Sequence, residues 1–202
     1  VGYTYNLYGT VQDTARACAD SALYDVCHSL GKSIMDVSFF DDVLLYHGGT
    51  RQDTKYLMDE KLAPEAVKEL CRETGTDAII SIDRLLFRME KNVAAFSEGF
   101  VIGGVNVEIT GTIRSYLPGR GKPLATVYVQ DSVFWSESAD NMEQLKLYLP
   151  LPDEALRAAG QYIGTKVTPN FVPHWDSESR WFYKGERARW KEATAYALSD
   201  KW

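Results

Sequence analysis

The sequence predicts an α+β fold: a mixed sheet with helices packed mainly on one face, followed by a helical C-terminal extension. Three stretches carry that expectation. Pro64–Met89 reads as helix, stop and buried strand, which is half of a crossover unit. Val105–Arg114 and Leu124–Trp135 alternate apolar and polar residues around an LPGRGKP turn, as half-buried antiparallel strands do. From Asp140 onward the period becomes helical.

Taken in order, Val1–Tyr8 alternates weakly and ends a strand or forms an exposed loop. A helix is expected over Val11–Leu30, because Ala15, Ala19, Ala22, Leu23, Val26 and Leu30 form one stripe and Gly31 then offers a stop. Ile34–Tyr46 reads as a strand with a break at Asp41-Asp42, His47–Thr50 as a turn, and Asp53–Glu60 as a short helical piece. Pro64 suits a first helical position, where a missing N–H costs nothing, and Gly75 suits a left-handed stop. Between them Ala66, Val67, Leu70 and Cys71 share a face. The run Ala78, Ile79, Ile80, Ile82 is too continuous for a strand buried on one side only, so cover on both sides is expected.

On the later strands Val105, Val107, Ile109 and Ile113 point one way, and Asn106, Glu108, Thr110, Thr112 and Arg114 the other. Gly103-Gly104 has no phosphate-loop context and indicates a bulge or a close backbone approach. The division expected is an α/β domain over residues 1–138 and a helical extension over 139–202, the latter interrupted by Pro150, Pro152, Pro169 and Pro173. Val1 in place of Met points to a processed or truncated product, and the abrupt end at Trp202 to a longer helical array.

Composition narrows the function classes. A formal charge of -6 argues against nucleic acid as a partner, since neutralising phosphates needs a basic face. The basic group Arg180, Lys184, Arg187, Arg189 and Lys191 is interrupted by Glu186 and Glu192, as a solvated helix face is. No apolar run approaches the length of a membrane-spanning helix. Cys18, Cys27 and Cys71 read as unpaired thiols, because the first two lie on opposite sides of one expected helix. His28, His47 and His174 have no metal-ligand spacing, and no cofactor motif is present.

Asp83, Glu108 and Asp131 lie on three consecutive expected strands, where paired carboxylates could do acid–base work, but pairing alone does not bring them together. No catalytic residue is assigned. The one unusual concentration is aromatic: Phe171, His174, Trp175, Trp181, Phe182, Tyr183, Trp190, Tyr196 and Trp202. Within it Trp175, Arg180, Trp181 and Tyr183 are the candidate binding residues, since exposed aromatic and Arg side chains anchor partners.

The segments CRETGTDAIISIDRLLF, VPHWDSESRWFYKG and ATAYALSDKW resemble a family of Bacteroidetes lipoproteins known as a domain of unknown function, in which an α/β domain precedes helices of the tetratricopeptide type. The α/β part is also similar to periplasmic lipoprotein domains that bind cell-wall synthases or envelope partners. The resemblance implies a non-catalytic cell-envelope domain that binds a protein or cell-wall component. It implies a periplasmic location, with outer-membrane anchoring through a lipid outside this chain. The competing readings are a hydrolase using Glu108 and Asp131 on the open face of the sheet, and a structural spacer for a repeat array.

Overall fold

The computed structural model describes residues 2–7, 14–16, 19–48, 58–97, 99–179 and 187–199. Its centre is an antiparallel sheet of three long strands, β3 (Ile79–Ala95), β4 (Val101–Tyr116) and β5 (Ala125–Ala139). Two short strands, β1 (Gly2–Leu7) and β2 (Thr14–Arg16), extend it on the far side of β3 in the order β2-β1-β3-β4-β5. Because β1 runs parallel to β3, the sheet is mixed. Helices α1 (Ala19–Val37) and α2 (Pro64–Thr74) lie between β1 and β3 in the chain; α3 (Met142–Tyr148), α4 (Pro152–Val167) and α5 (Ala188–Leu198) follow β5. The fold is α+β, as the strand and helix periods predict.

One face of the sheet carries the main core. Val105, Val107, Ile109 and Ile113 of β4 point into it and are all but fully buried. Opposite them Ala22, Val26, Leu30 and Ile34 of α1 recur every four residues, and α4 adds Ala155, Leu156, Ala159, Ile163 and Val167. Gly160 and Gly164 let α4 meet α1 backbone to backbone: a Cβ on either would come within 2.6 Å of the Ala22 or Val26 carbonyl oxygen. Leu145 of α3 and Leu149 just after it reach the same core over Gly103, where a Cβ would stand 2.8 Å from Leu145. Thus Gly103 serves close approach, and so does Gly104, over which the Phe134 ring lies on the other face. The sheet, α3 and α4, which the sequence divides at 138/139, share one buried cluster.

Several elements differ from expectation. Of the helix expected over Val11–Leu30, Thr14–Arg16 is instead strand β2, paired antiparallel with β1, and α1 begins at Ala19. Gly31 does not end α1, which runs to Val37 because Ile34 continues the buried stripe. The lack of a side chain at Gly31 instead admits Val43 and Leu45 of the returning chain, 3.5 and 3.3 Å from where its Cβ would stand. The expected strand at Ile34–Tyr46 is therefore the last turn of α1, a left-handed Ser38 (φ 54°) and an irregular segment. Apolar residues in that segment cover the helix without pairing, which a strand reading cannot distinguish. Of the expected helical piece at Asp53–Glu60, residues 53–57 lie outside the described residues, and Met58–Ala63 is not helical.

Helix α2 begins at Pro64 and stops at Gly75 (φ 69°), as expected. It contributes little to the main core. Only Val67 and Cys71 are buried, in a small second cluster with Leu62, Tyr116 and the half-buried Ile79. That cluster lies on the sheet face opposite α1 and α4, since Tyr116 and Ile79 pair across β3–β4 and point away from Ile113. The double cover expected for the Ile79–Ile82 run is thereby met: Ile79 packs toward α2, Ile80 and Ile82 toward the main core.

Candidate functional site

The β3–β4 ladder shifts register between Ile82 and Arg84, which makes Asp83 the extra residue of a bulge. Asp83 continues the alternation of Ile79 and Ser81 onto the α2 side of the sheet, where its side chain is completely buried, and the bulge resets the phase of the strand after it. Arg114 and Tyr116, two apart on β4 and so on one face, meet it there. Arg114 Nη1 donates to Asp83 Oδ2 at 2.7 Å and to Asp59 Oδ1 at 2.6 Å, while Nη2 donates to Asp59 Oδ2 at 3.0 Å. The Tyr116 hydroxyl donates to Asp83 Oδ2 and accepts from the Leu62 N–H at 3.2 Å. One buried cation thus holds two carboxylates, one from the sheet and one from the segment leading into α2.

Burial draws the Arg114 guanidinium down, but the bonds to Asp59 and Asp83 outweigh it and hold the pKa above its ordinary value. The Arg114 bond keeps Asp59 below the ordinary carboxylate range. Burial, reinforced by the bond to Asp83, pushes the Tyr116 phenol up to about 12. The Nε atoms of Arg84 and Arg114 are buried donors without a protein acceptor among the described residues. Beside the network lies a cleft of only about 30 Å³, lined by Leu62, Val67, Tyr116 and Lys122 among others. A space that size admits one water and no substrate.

The three carboxylates picked out by strand position do not converge. Asp83 is engaged in the network. Glu108 is on the open face, half-exposed, 3.7 Å from Arg88. Asp131 is on the helix side: its alternation with Val129 and Val133 turns it toward α4, where Lys166 Nζ donates to it at 2.5 Å. That bond holds the Asp131 carboxyl below the ordinary range. Glu108 and Asp131 therefore do not share the open face, as the hydrolase reading requires.

Beyond the end covered by α2, that face is bare. Tyr128 is 76% and Phe134 63% exposed on β5, with Ile102 of β4 also exposed. Gln130, Ser132 and Thr110 lie exposed between them. Trp175, the first of the aromatic candidates, is fully exposed in a stretch without regular structure. Arg180, Trp181 and Tyr183 lie outside the described residues. In α5 Trp190 and Tyr196 are about half exposed. Among the described residues no His, Cys, Asp or Glu cluster could hold a metal, and no helix is long and apolar enough to cross a membrane. Cys27 and Cys71 are free thiols; Cys18 lies outside the described residues.

The Asp83–Arg114–Tyr116 network went unnoticed in the sequence. Its signal is an acid within an apolar run and two long polar side chains at i and i+2, on one face at the end of a strand. Fold and site together define an α+β domain with an ion-paired lock at one end of an open-faced sheet. The chain belongs to the family described as Domain of unknown function (DUF8603), which matches residues 1–183. No curated protein and no solved structure matches it.

Proposed function

We propose that this is a non-catalytic binding domain of the cell envelope, and that it engages a protein or cell-wall partner through the open half of its sheet. The observation that carries this reading is the bare face itself, with Tyr128, Phe134 and Ile102 exposed beside Thr110, Gln130 and Ser132, and with Glu108 and Arg88 on the same face. Aromatic side chains standing free on a rigid sheet lose little entropy on binding and offer both apolar area and a polar tip. The buried lock supports a structural role for the strongest titratable cluster, because its carboxylates face their own arginine and not a cavity. The envelope location rests on the sequence resemblance, as does the association with tetratricopeptide-like helices and with Bacteroidetes lipoproteins. Trp175, Arg180, Trp181 and Tyr183 stay proposed binding residues on the sequence reading, and of these Trp175 is fully exposed.

The test is site-specific photo-crosslinking in intact envelopes, with the photoreactive residue at Thr110 in the middle of the open face or at the exposed Glu69 of α2. Adducts at Thr110, absent at Glu69 and lost with Phe134→Ser, are the expected outcome. Equal adducts at both positions, or none at Thr110, would overturn the reading.

A further inference from the structure

Strand β5 ends the sheet, and its outer edge has no partner strand among the described residues. Exposed edges invite pairing, and proteins that must stay apart guard them with Pro, Lys, bulges or short strands. Here the edge is 15 residues long, contains no Pro, Lys or Arg, and pairs with β4 without a register shift from Ala125 to Ala139. At its middle the Ser132 N–H is turned to the Asp131 Oδ1 at 2.9 Å, a bond that pairing there must release.

The residue pattern of β5 says with what it pairs. Read outward from Asp131, the strand is symmetric in chemical kind: Gln130 and Ser132, Val129 and Val133, Tyr128 and Phe134, Val127 and Trp135, Thr126 and Ser136. Polar, apolar, aromatic, apolar and hydroxyl positions match on either side. An isologous contact requires this, because each residue must meet its symmetry mate's counterpart. We infer that β5 pairs antiparallel with β5 of a second copy of this chain, about a two-fold axis through Asp131, to make one continuous sheet across both molecules.

In that register the open face gains two aromatic pairs, Tyr128 opposite Phe134 of the second copy and the reverse, both rings now exposed. On the helix side, Val127 meets Trp135 and Val129 meets Val133; Val127, Val133 and Trp135 are only partly buried at present. The like charges at the axis are not bare, since each Asp131 already carries its own Lys166, itself bonded to the Tyr162 hydroxyl at 3.0 Å. Lys166 and Tyr162 also place this stripe of α4 beside the β5 edge. There Ala158, Gln161, Tyr162 and Thr165 line a shallow depression of about 450 Å³ that would face its symmetry mate. The eleven residues from Thr126 to Ser136 span roughly 35 Å of ladder, and this helix stripe adds area toward the ~800 Å² per partner that a stable dimer buries. The inference does not rest on the binding role of the open face.

Sedimentation velocity of the full chain over a loading series from about 1 µM to 1 mM tests it. The wild type is expected to pass from monomer to dimer. Two variants at exposed positions fix the register. Q130K/S132K sets Lys opposite Lys at two places in the axis-131 register and is expected to weaken the dimer at least about fivefold. Q130K/S132E sets Lys opposite Glu in that register alone, and is expected to restore or tighten it. A wild type that stays monomeric at every loading would mean that the edge serves another chain's strand and would overturn the inference. So would a dimer that the two variants affect equally.

Discussion

Replacing Arg114 by Met tests whether the lock at the end of the sheet holds the fold. Arg114 is 2% exposed and faces Asp83, which is 0% exposed. Without the guanidinium, the fully buried Asp83 carboxylate loses its cationic partner in this network. Removing one partner of a buried pair costs about 3–5 kcal/mol. Asp59 is different, because its side chain is 36% exposed and water screens it; Asp59→Asn should cost about 1 kcal/mol or less. With a urea m-value of about 2 kcal/mol/M, Arg114→Met should lower the unfolding midpoint by roughly 1.5–2.5 M, and Asp59→Asn by about 0.5 M or less. The double change Asp83→Asn/Arg114→Met removes both charges, so it should be more stable than Arg114→Met alone. Equal midpoints for Arg114→Met and Asp59→Asn, or a double variant no better than the single, would refute the claim that loss of the cation beside the buried Asp83 carboxylate sets the cost.

Gly164→Ala should destabilise by about 1–3 kcal/mol on thermal or urea unfolding. Its Cβ would stand 2.1 Å from Ser29 Oγ and 2.5 Å from the Val26 carbonyl, and the gain of about 1 kcal/mol in helix propensity does not offset that crowding. Asp59 is depressed in the fold, so its contribution is complete above the unfolded value of 3.8 and is lost as pH falls through the lower folded pKa. Midpoints measured between about pH 5 and pH 2 should accordingly fall less steeply in Asp59→Asn than in the wild type. The Cys27 thiol is raised from 9.0 to about 11 by burial, which stabilises the fold below pH 9 and is lost as pH rises toward 11. Alkylation followed by mass spectrometry at about pH 8 should label Cys27 far more slowly in the folded than in the unfolded chain.

What the sequence reveals most clearly is what depends on a regular period. The β4–β5 hairpin, with its apolar face and its polar face, follows from alternation alone, and the limits of α2 follow from Pro64 and Gly75. Its errors come from residues whose role is set by distant neighbours. Gly31 looks like a stop, yet serves the approach of Val43 and Leu45, and α1 and α4 bury more against the sheet than α2 does. The carboxylates misled for a related reason. Strand order places Glu108 and Asp131 side by side in sequence terms, whereas parity places them on opposite faces. Parity could have been read from the alternation already recognised on β4 and β5.

The bulge at Asp83 divides β3 into two halves of opposite phase. Before it, the even-numbered Ile80 and Ile82 face the helices; after it, the odd-numbered Leu85, Phe87 and Met89 do. A frame shift of one residue in either half would send Arg84, Leu86, Arg88 and Glu90 into the core or expose the isoleucines, so only one alignment of β3 on β4 satisfies both halves at once. The extra residue therefore works as a vernier mark. It reports a mispaired hairpin as soon as the second half forms, and the arginine that reads the mark, Arg114, is built into the opposing strand.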